Sequence, residues 1–270
     1  MESTFVMVQM ECTESPEENL RKAARFTEEA VRKYQPQLLL FPESFMIEFG
    51  KGTDIAARNA TAQPLNGAFV QGMRALAAQH GVWMVFGMRE KVEKPTDARS
   101  YNTTVMLNDR GEIVRIYRKT HMYDAFGYKE SDEFKAGDAF FEPVDTPFGR
   151  IGLFVCYEVR FPEVARDQRA KGAEIILMPT AWVKGDLKSL HFKTLVTARA
   201  IENTCFLLAC DQYSRIRMGE SIAVDPMGVT LASAGEGERL IPVYIDTERI
   251  AEVRKKLPSY EDRRPELYTG

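Results

Sequence analysis

The sequence predicts an α/β fold in which two β-sheets pack face to face and helices cover the outer faces. Short, almost wholly apolar runs, such as residues 38–41 and 151–155, are typical of buried strands. Segments with apolar residues at helical spacing alternate with these runs, an order that favours parallel strands joined by crossover helices. The chain predicts about ten or more strands and about five helices, which is more strand than a single doubly wound sheet requires.

The N-terminal part of the chain has the pattern of a strand, a helix and a second strand. Residues 4–10 alternate between two faces and predict the opening strand. The Ser-Pro-Glu-Glu sequence at residues 15–18 is typical of a helix start, and an apolar stripe continues this helix to residue 34. Residues 38–41 predict the second strand, which Pro42 ends.

The rest of the chain continues this alternation. Residues 48–66 are polar and punctuated by glycine and proline, which predicts a long functional loop. Residues 91–100 predict a polar connection, and residues 121–147 predict an irregular, aromatic-rich segment. The remaining strands are predicted at residues 82–88, 101–108, 112–118, 151–155, 174–178, 204–210, 220–224, 229–233 and 239–246, and the remaining helices at residues 68–80, 162–172, 187–203 and 247–256. No linker or low-complexity segment divides the chain, so we expect residues 1–270 to form one domain.

Composition and charge exclude several classes of protein. The 36 basic and 39 acidic residues nearly balance, and no long basic block predicts a nucleic-acid or membrane partner. The apolar runs are far shorter than the roughly 18 residues of a membrane span, and no secretory signal opens the chain. Four cysteines without a Cys-x-x-Cys pair predict a reducing, cytoplasmic location. The three histidines lie far apart, so we expect no metal site.

Three reactive side chains stand at the ends of predicted strands. Glu43 follows residues 38–41, Lys119 follows residues 112–118, and Cys156 lies between a strand and a helix. Ligands of α/β folds bind outside strand ends. The turn and the helix dipole after Cys156 predict a lowered thiol pKa. Such a set could hydrolyse an amide, because a thiolate attacks the carbonyl, an ammonium stabilises the oxyanion and a carboxylate transfers protons.

Each of these residues also has an ordinary structural reading. A cysteine that ends an apolar run is usually a small buried side chain, and Cys205 and Cys210 are expected to be of this kind. His121 is an alternative base for Cys156, although no Asn or Asp partner is identifiable for it. A protein of another class, a non-catalytic module that binds ligands or senses oxidants through Cys156, is a further hypothesis.

The sequence around these residues resembles the nitrilase superfamily of carbon-nitrogen hydrolases. The matching segments are LLLFPES around Glu43, YRKTHMYD around Lys119 and GRIGLFVCYEVRFPE around Cys156, and the resemblance continues through AEIILMPTAW, KTLVTARAIEN, DPMG and the C-terminal segment. It implies an α/β fold arranged as a four-layer α-β-β-α sandwich. It implies that Glu43 is the general base, Lys119 the oxyanion stabiliser and Cys156 the nucleophile. A second glutamate is implied at Glu130, with Glu133 as the rival position.

The resemblance also implies how the substrate is held. The backbone N–H of Tyr157 would complete the oxyanion hole, and Tyr123, Trp182 and His191 are candidates for the substrate pocket. No metal or organic cofactor is implied. Glu158, two residues after Cys156, is expected to support the loop and not to react. Arg160 could meet a substrate carboxylate or only a structural acid, and we expect the structural acid.

The implied activity is hydrolysis of a small amide to a carboxylate and ammonia through a cysteine thioester. The nearest branches act on carboxylate-bearing amides of the deaminated glutathione or ω-amide type, and N-carbamoyl amidohydrolase and nitrilase activities are the alternatives. The partners implied are a small-molecule amide and a second copy of the chain, with neither nucleic acid nor membrane. The C-terminal tail, residues 257–270 approximately, is expected at the dimer interface.

Overall fold

The computed structural model describes residues 2–50, 52–92 and 98–268. Residues 93–97 of the predicted polar connection, residue 51 of the predicted loop and residues 269–270 of the tail lie outside the described residues. The strands are β1 (Glu2–Gln9), β2 (Leu38–Leu40), β3 (Trp83–Glu90), β4 (Tyr101–Leu107), β5 (Ile113–Arg118), β6 (Asp124–Ala125), β7 (Tyr128–Lys129), β8 (Val144–Thr146), β9 (Gly149–Leu153), β10 (Ile175–Thr180), β11 (Phe206–Asp211), β12 (Ile222–Val224), β13 (Thr230–Ser233) and β14 (Arg239–Asp246). The helices are α1 (Pro16–Tyr34), α2 (Ile55–Ala60), α3 (Ala68–His80), α4 (Pro162–Ala170), α5 (Lys188–Asn203) and α6 (Glu248–Lys256).

Two six-stranded sheets of similar topology form the centre of the molecule. The first has the order β14-β1-β2-β3-β4-β5 and the second the order β13-β12-β11-β10-β9-β8. The β1-β2-β3 strands and the β9-β10-β11 strands pair in parallel, and antiparallel strands extend each parallel centre. Each half therefore combines crossover helices with antiparallel hairpins, as the sequence predicts.

The side chains of the strands sort into three apolar layers. Phe5 and Met7 of β1 point into the core between the two sheets, whereas Val6 and Val8 point outward against α1 and α3. On the second sheet, Ile176 and Met178 of β10 point outward against α4 and α5, whereas Ile175 and Leu177 point into the core between the sheets. Since successive side chains of a strand face opposite sides, alternation of buried residues produces this arrangement directly. The result is the four-layer α-β-β-α sandwich, and the predicted fold is confirmed.

The helix ends follow the local sequence signals. The Ser15 side chain accepts a hydrogen bond from the Glu18 N–H and caps α1, and Pro16 occupies its first turn. Pro162 occupies the first turn of α4, two residues after the end of a short 3-10 helix that spans Cys156–Arg160. The predicted strand before Cys156 ends earlier than expected, at Leu153, because the Val155 N–H donates to the Glu158 carboxylate and not to a strand.

Two segments carry more structure than the sequence predicts. The predicted loop at residues 48–66 contains the short helix α2, which Asp54 caps by accepting from two backbone N–H groups. The predicted irregular segment at residues 121–147 contains the β6-β7 hairpin and the strand β8. These elements are too short to give a hydrophobic period that the sequence would reveal.

Candidate active site

The turn after β2 fixes the carboxylate of Glu43. Glu43 Oε1 accepts hydrogen bonds from Lys119 Nζ at 2.9 Å and from Asn102 Nδ2 at 2.8 Å, and Oε2 accepts from the Ala181 N–H at 3.0 Å. Gly87 lets β3 approach this turn closely, since a Cβ there would lie 2.7 Å from the Ser44 nitrogen and 3.1 Å from Glu43 Cα. Burial would raise the Glu43 pKa, but the Lys119 charge and hydrogen bonds keep that pKa below its ordinary value.

Lys119 is a buried cation, 2% exposed, at the end of β5. Its ammonium lies 2.8 Å from Glu130 Oε2 in addition to its contact with Glu43. Burial favours the neutral amine, but the two carboxylates outweigh it and raise the Lys119 pKa well above its ordinary value. The Lys119 ammonium is therefore charged at neutral pH.

The two rival glutamates have different partners. Glu130 contacts Lys119 and Asn102, and its Oε2 also accepts from the Tyr123 N–H at 2.6 Å. Glu133 binds the guanidinium groups of Arg89 and Arg58 and accepts from the Tyr128 hydroxyl at 3.1 Å. No contact joins Glu133 to Lys119 among the described residues. The geometry thus supports Glu130 as the second glutamate of the cluster.

Cys156 begins the 3-10 helix that spans Cys156–Arg160 and has a left-handed backbone with φ of 48°. A left-handed backbone is strained for a residue other than glycine, and such strain is often found at functional sites. Burial and the adjacent Glu43 carboxylate raise the thiol pKa above its ordinary value, and Lys119 only partly opposes them. The predicted lowering of the thiol pKa is therefore wrong, because desolvation outweighs the turn. The resting thiol is therefore protonated, with the Glu43 carboxylate close enough to influence its pKa.

Glu158 ties the segment after Lys119 to the loop of Cys156. Its fully buried carboxylate accepts from the Tyr117 hydroxyl at 2.6 Å, the Thr120 N–H at 2.9 Å and the Val155 N–H at 2.7 Å. Glu158 therefore supports the loop, as the sequence analysis expects.

His121 does not serve Cys156. Its ring stacks on Phe161 and Phe140, with centroids 4.2 and 6.1 Å away, and its Nδ1 lies 3.0 Å from Thr120 Oγ1. His121 is absent from the lining of the cavity described below. The geometry gives no support to a Cys-His pair.

A cavity of about 80 Å³ opens above the reactive side chains. Tyr123, Tyr157 and Trp182 line it, as the sequence predicts, but His191 does not. His191 lies on α5 three residues after Lys188, and it is Lys188 that reaches the cavity. The complete lining comprises Glu43, Ser44, Lys119, Tyr123, Tyr128, Glu130, Phe134, Cys156, Tyr157, Arg160, Ala181, Trp182, Val183, Lys188 and Arg217.

Three further cations line this cavity, and sequence reasoning missed two of them. Arg217 pairs with Glu48 at 2.6 Å and donates to the Ala181 carbonyl at 2.7 Å. Arg160 has no acidic partner among the described residues, and its buried Nε and Nη2 atoms have no hydrogen-bond partner there. The expectation of a structural acid for Arg160 is therefore wrong. No local pattern indicated Arg217 or Lys188, because both reach the cavity only through the tertiary fold.

Two general features of the described chain bear on the class of protein. Within residues 2–50, 52–92 and 98–268, no helix is long and apolar enough to cross a membrane. In the same ranges, no group of three or more His, Cys, Asp and Glu side chains is arranged to hold a metal ion.

The fold and the cluster around Cys156 define a class of enzyme. The sequence model of the carbon-nitrogen hydrolase family matches residues 6–255 of this chain. The chain therefore belongs to the carbon-nitrogen hydrolase family, which confirms the resemblance, and it is an enzyme of the amidase type.

Two named amidases and one solved amidase structure are similar to this chain. The chain is 35% identical to a deaminated glutathione amidase of Escherichia coli O157:H7, with 84% of each chain covered. It is 31% identical to the ω-amidase NIT3 of Saccharomyces cerevisiae over 93% of this chain and 89% of that protein. A solved structure of a glutamate-to-glutamine mutant of the Nesterenkonia sp. AN1 amidase superimposes with a TM-score of 0.83 at 25% identity, covering 98% of this chain and 95% of that one. In that structure the acetamide moiety of fluoroacetamide is attached to the active-site cysteine.

Proposed function

We propose that this enzyme hydrolyses a small amide that bears a carboxylate, with Cys156, Glu43, Lys119 and Glu130 as its catalytic group. The observation that carries the proposal is the contact of the buried Lys119 ammonium with two carboxylates beside the half-buried thiol of Cys156, whose backbone is strained. Glu43 takes the thiol proton as Sγ attacks the amide carbonyl, because the thiol is protonated at rest. Lys119 and the backbone N–H of Tyr157 stabilise the negative charge that develops on the carbonyl oxygen.

The second half of the reaction uses the same carboxylate. Glu43 passes its proton to the nitrogen of the leaving group, so that ammonia or an amine departs and a thioester to Cys156 remains. Glu43 then removes a proton from a water molecule that attacks the thioester, which releases the carboxylic acid and restores the thiol. Glu130 holds Lys119 in position and keeps it charged throughout.

The charges of the cavity support a carboxylate on the substrate. The Arg160 guanidinium stands 4.9 Å from the Trp182 ring centroid without an acid among the described residues. A guanidinium offers a fork of donors that fits a carboxylate. The deaminated glutathione and ω-amide classes both bring such a carboxylate, and the two curated relatives described above carry these names.

The experiment is a panel of amides with release of ammonia or amine as the readout. We expect turnover of α-ketoglutaramate, succinamate or deaminated glutathione, and none by the Cys156→Ala variant. N-carbamoyl amino acids and simple nitriles complete the panel, and carbon dioxide from a carbamoyl substrate would identify that alternative activity. If no member of the panel were hydrolysed while peroxide oxidised Cys156 reversibly, the proposed amidase function would be wrong. That result would favour the oxidant-sensing module.

We propose further that the single domain of residues 1–270 works as a homodimer in a reducing cytoplasm. The face formed by α5 and the turn before β13 exposes the apolar side chains Leu190, Ile201, Met227 and Val229. The tail packs beside α4, where Arg169 contacts Glu261 at 2.8 Å. All four cysteines are free thiols. Light scattering of the wild type should give the mass of two chains, and Ile201→Asp should lower this mass toward that of one chain. Equal masses for the two proteins would contradict the proposed dimer interface.

A further inference from the structure

The ammonium of Lys188 is a second cation at the cavity without an acidic partner. Lys188 is only 7% exposed, and no carboxylate among the described residues forms an ion pair with it. Its Nζ donates to the Tyr123 hydroxyl at 2.9 Å and lies 3.5 Å from the centroid of the Phe126 ring. An ammonium has three donors, so the Tyr123 hydroxyl and the Phe126 ring leave one N–H for a ligand.

Two of the other basic residues that line the cavity are neutralised by carboxylates. Lys119 contacts Glu43 and Glu130, and Arg217 contacts Glu48. Lys188 and Arg160 are the exceptions among the described residues that line the cavity. Both cations lie near the Trp182 ring, with the Arg160 guanidinium 4.9 Å and the Lys188 ammonium 6.0 Å from its centroid. Burial and the neighbouring Arg160 charge lower the Lys188 pKa.

The backbone holds Lys188 firmly at this place. Leu187 has a left-handed backbone with φ of 57°, which turns the chain so that α5 starts at Lys188 beside the cavity. The indole N–H of Trp182 donates to the Lys188 carbonyl at 3.1 Å. Trp182 itself lines the cavity, so the lysine is anchored to the wall that receives the substrate.

We propose that Lys188 is a specificity-determining residue that binds a second anionic group of the substrate, while Arg160 binds the first. This inference rests on the proposed function and narrows its substrate class to small amides with two carboxylates. A second carboxylate neutralises the buried ammonium and accepts from the N–H that neither Tyr123 nor Phe126 occupies. It can lie on the acyl part or on the leaving group, and two pairs of probes separate these positions.

The first pair compares N-succinylglycine, whose leaving group carries a carboxylate, with N-ethylsuccinamate, whose leaving group is neutral. The second compares the 1-monoamide of propane-1,2,3-tricarboxylate with glutaramate, which lacks the central carboxylate. The ratio of kcat/KM within a pair isolates the second charge. We expect the wild type to favour the doubly charged member of at least one pair, and Lys188→Met to reduce that ratio by about 10- to 100-fold.

Two further variants keep the test decisive. Lys188→Arg retains a cation and is expected to restore much of the ratio. Lys193→Met is the matched control, because Lys193 lies on the same helix but pairs with Glu220 at 2.8 Å and does not line the cavity. Its ratio is expected to equal that of the wild type.

Binding to the Cys156→Ala variant, measured by calorimetry, separates this inference from the proposed function. If the wild type hydrolyses none of the probes, the proposed function fails, but tighter binding of the doubly charged probe that is lost in Cys156→Ala/Lys188→Met still supports the anion site. Equal losses for both members of each pair, in turnover and in binding, would overturn the role of Lys188. So would the absence of any preference for the doubly charged member.

Discussion

The two neighbouring glutamates of the site allow one substitution to be compared with a close control. Glu130→Gln removes the negative charge that contacts the Lys119 ammonium, while it preserves the shape of the side chain. Glu133→Gln makes the same chemical change three residues later, where the carboxylate joins Arg89 and Arg58. We expect the first variant to lose catalysis and the second to lose stability.

The structure sets the size of both effects. Each contact is a charge-assisted hydrogen bond between buried groups, which contributes about 1.5–3 kcal/mol. If Glu130 holds Lys119 where the oxyanion develops, this energy corresponds to a fall in kcat of roughly 10- to 150-fold. Glu133→Gln leaves the buried guanidinium of Arg89 and the partly exposed one of Arg58 without their anion, which costs about 3 kcal/mol of folding free energy and lowers the Tm by about 6–10 °C.

The assay measures kcat for ammonia release at saturating substrate, at a temperature where both variants remain folded, together with the Tm of each. The expected pattern is a low kcat for Glu130→Gln and a nearly wild-type kcat with a lower Tm for Glu133→Gln. A Glu130→Gln enzyme with the kcat of the wild type would refute the reasoning, as would equal losses of kcat in both variants.

Three further predictions follow from other contacts of the site. Arg160→Gln is expected to raise the KM for carboxylate-bearing amides about 10- to 100-fold; an equal rise for propionamide, which has no carboxylate, would contradict a role in carboxylate binding. Gly87→Ala is expected to lower kcat at least about tenfold, because its Cβ would push on the Ser44 nitrogen and displace the Glu43 turn; a folded variant of full activity would contradict this packing argument. Burial raises the pKa of Asp211 from 3.8 to about 7, so the folded chain binds one more proton than the unfolded chain between these values, and this contribution to stability declines as the pH rises toward 7. The unfolding free energy of the wild type should therefore fall relative to that of Asp211→Asn, by up to about 1.4 kcal/mol per pH unit between pH 4.5 and 7; a constant difference between the two proteins would disprove the shift.

The sequence predicted the parts of the site that depend on local patterns. Glu43 and Cys156 follow apolar strands and Lys119 follows the mixed strand β5, each with a recognisable end, and a strand end has a fixed place at the edge of a sheet. The four layers were predictable for the same reason, since the strands are buried on both faces and the helices on one. The ranges of the long helices accordingly agree with the prediction to within a residue or two.

Features that depend on contacts between distant segments were not predictable in this way. Glu48 and Arg217 are 169 residues apart, and nothing in either neighbourhood indicates their ion pair. Whether Arg160 finds an acid, and whether Lys188 or His191 reaches the cavity, is decided by how α5 packs beside the 3-10 helix of Cys156. Long-range packing also decides the thiol pKa.

The thiol of Cys156 illustrates this limit most clearly. Its position before a helix predicted a lowered pKa, but the low polarity of its surroundings and the Glu43 charge have the larger effect. The consequence is mechanistic, because a protonated nucleophile needs a base within reach. In the proposed mechanism, the Glu43 carboxylate that raises the thiol pKa is also the group that accepts the thiol proton.

The most direct test of the central claim is the intact mass of the enzyme, quenched within milliseconds of mixing with a substrate from the active panel. The account predicts a mass gain equal to one acyl group, located on Cys156 by peptide mapping, and no gain in Cys156→Ala. Undiminished release of ammonia by Cys156→Ala would contradict the account, because hydrolysis would then proceed without the thioester.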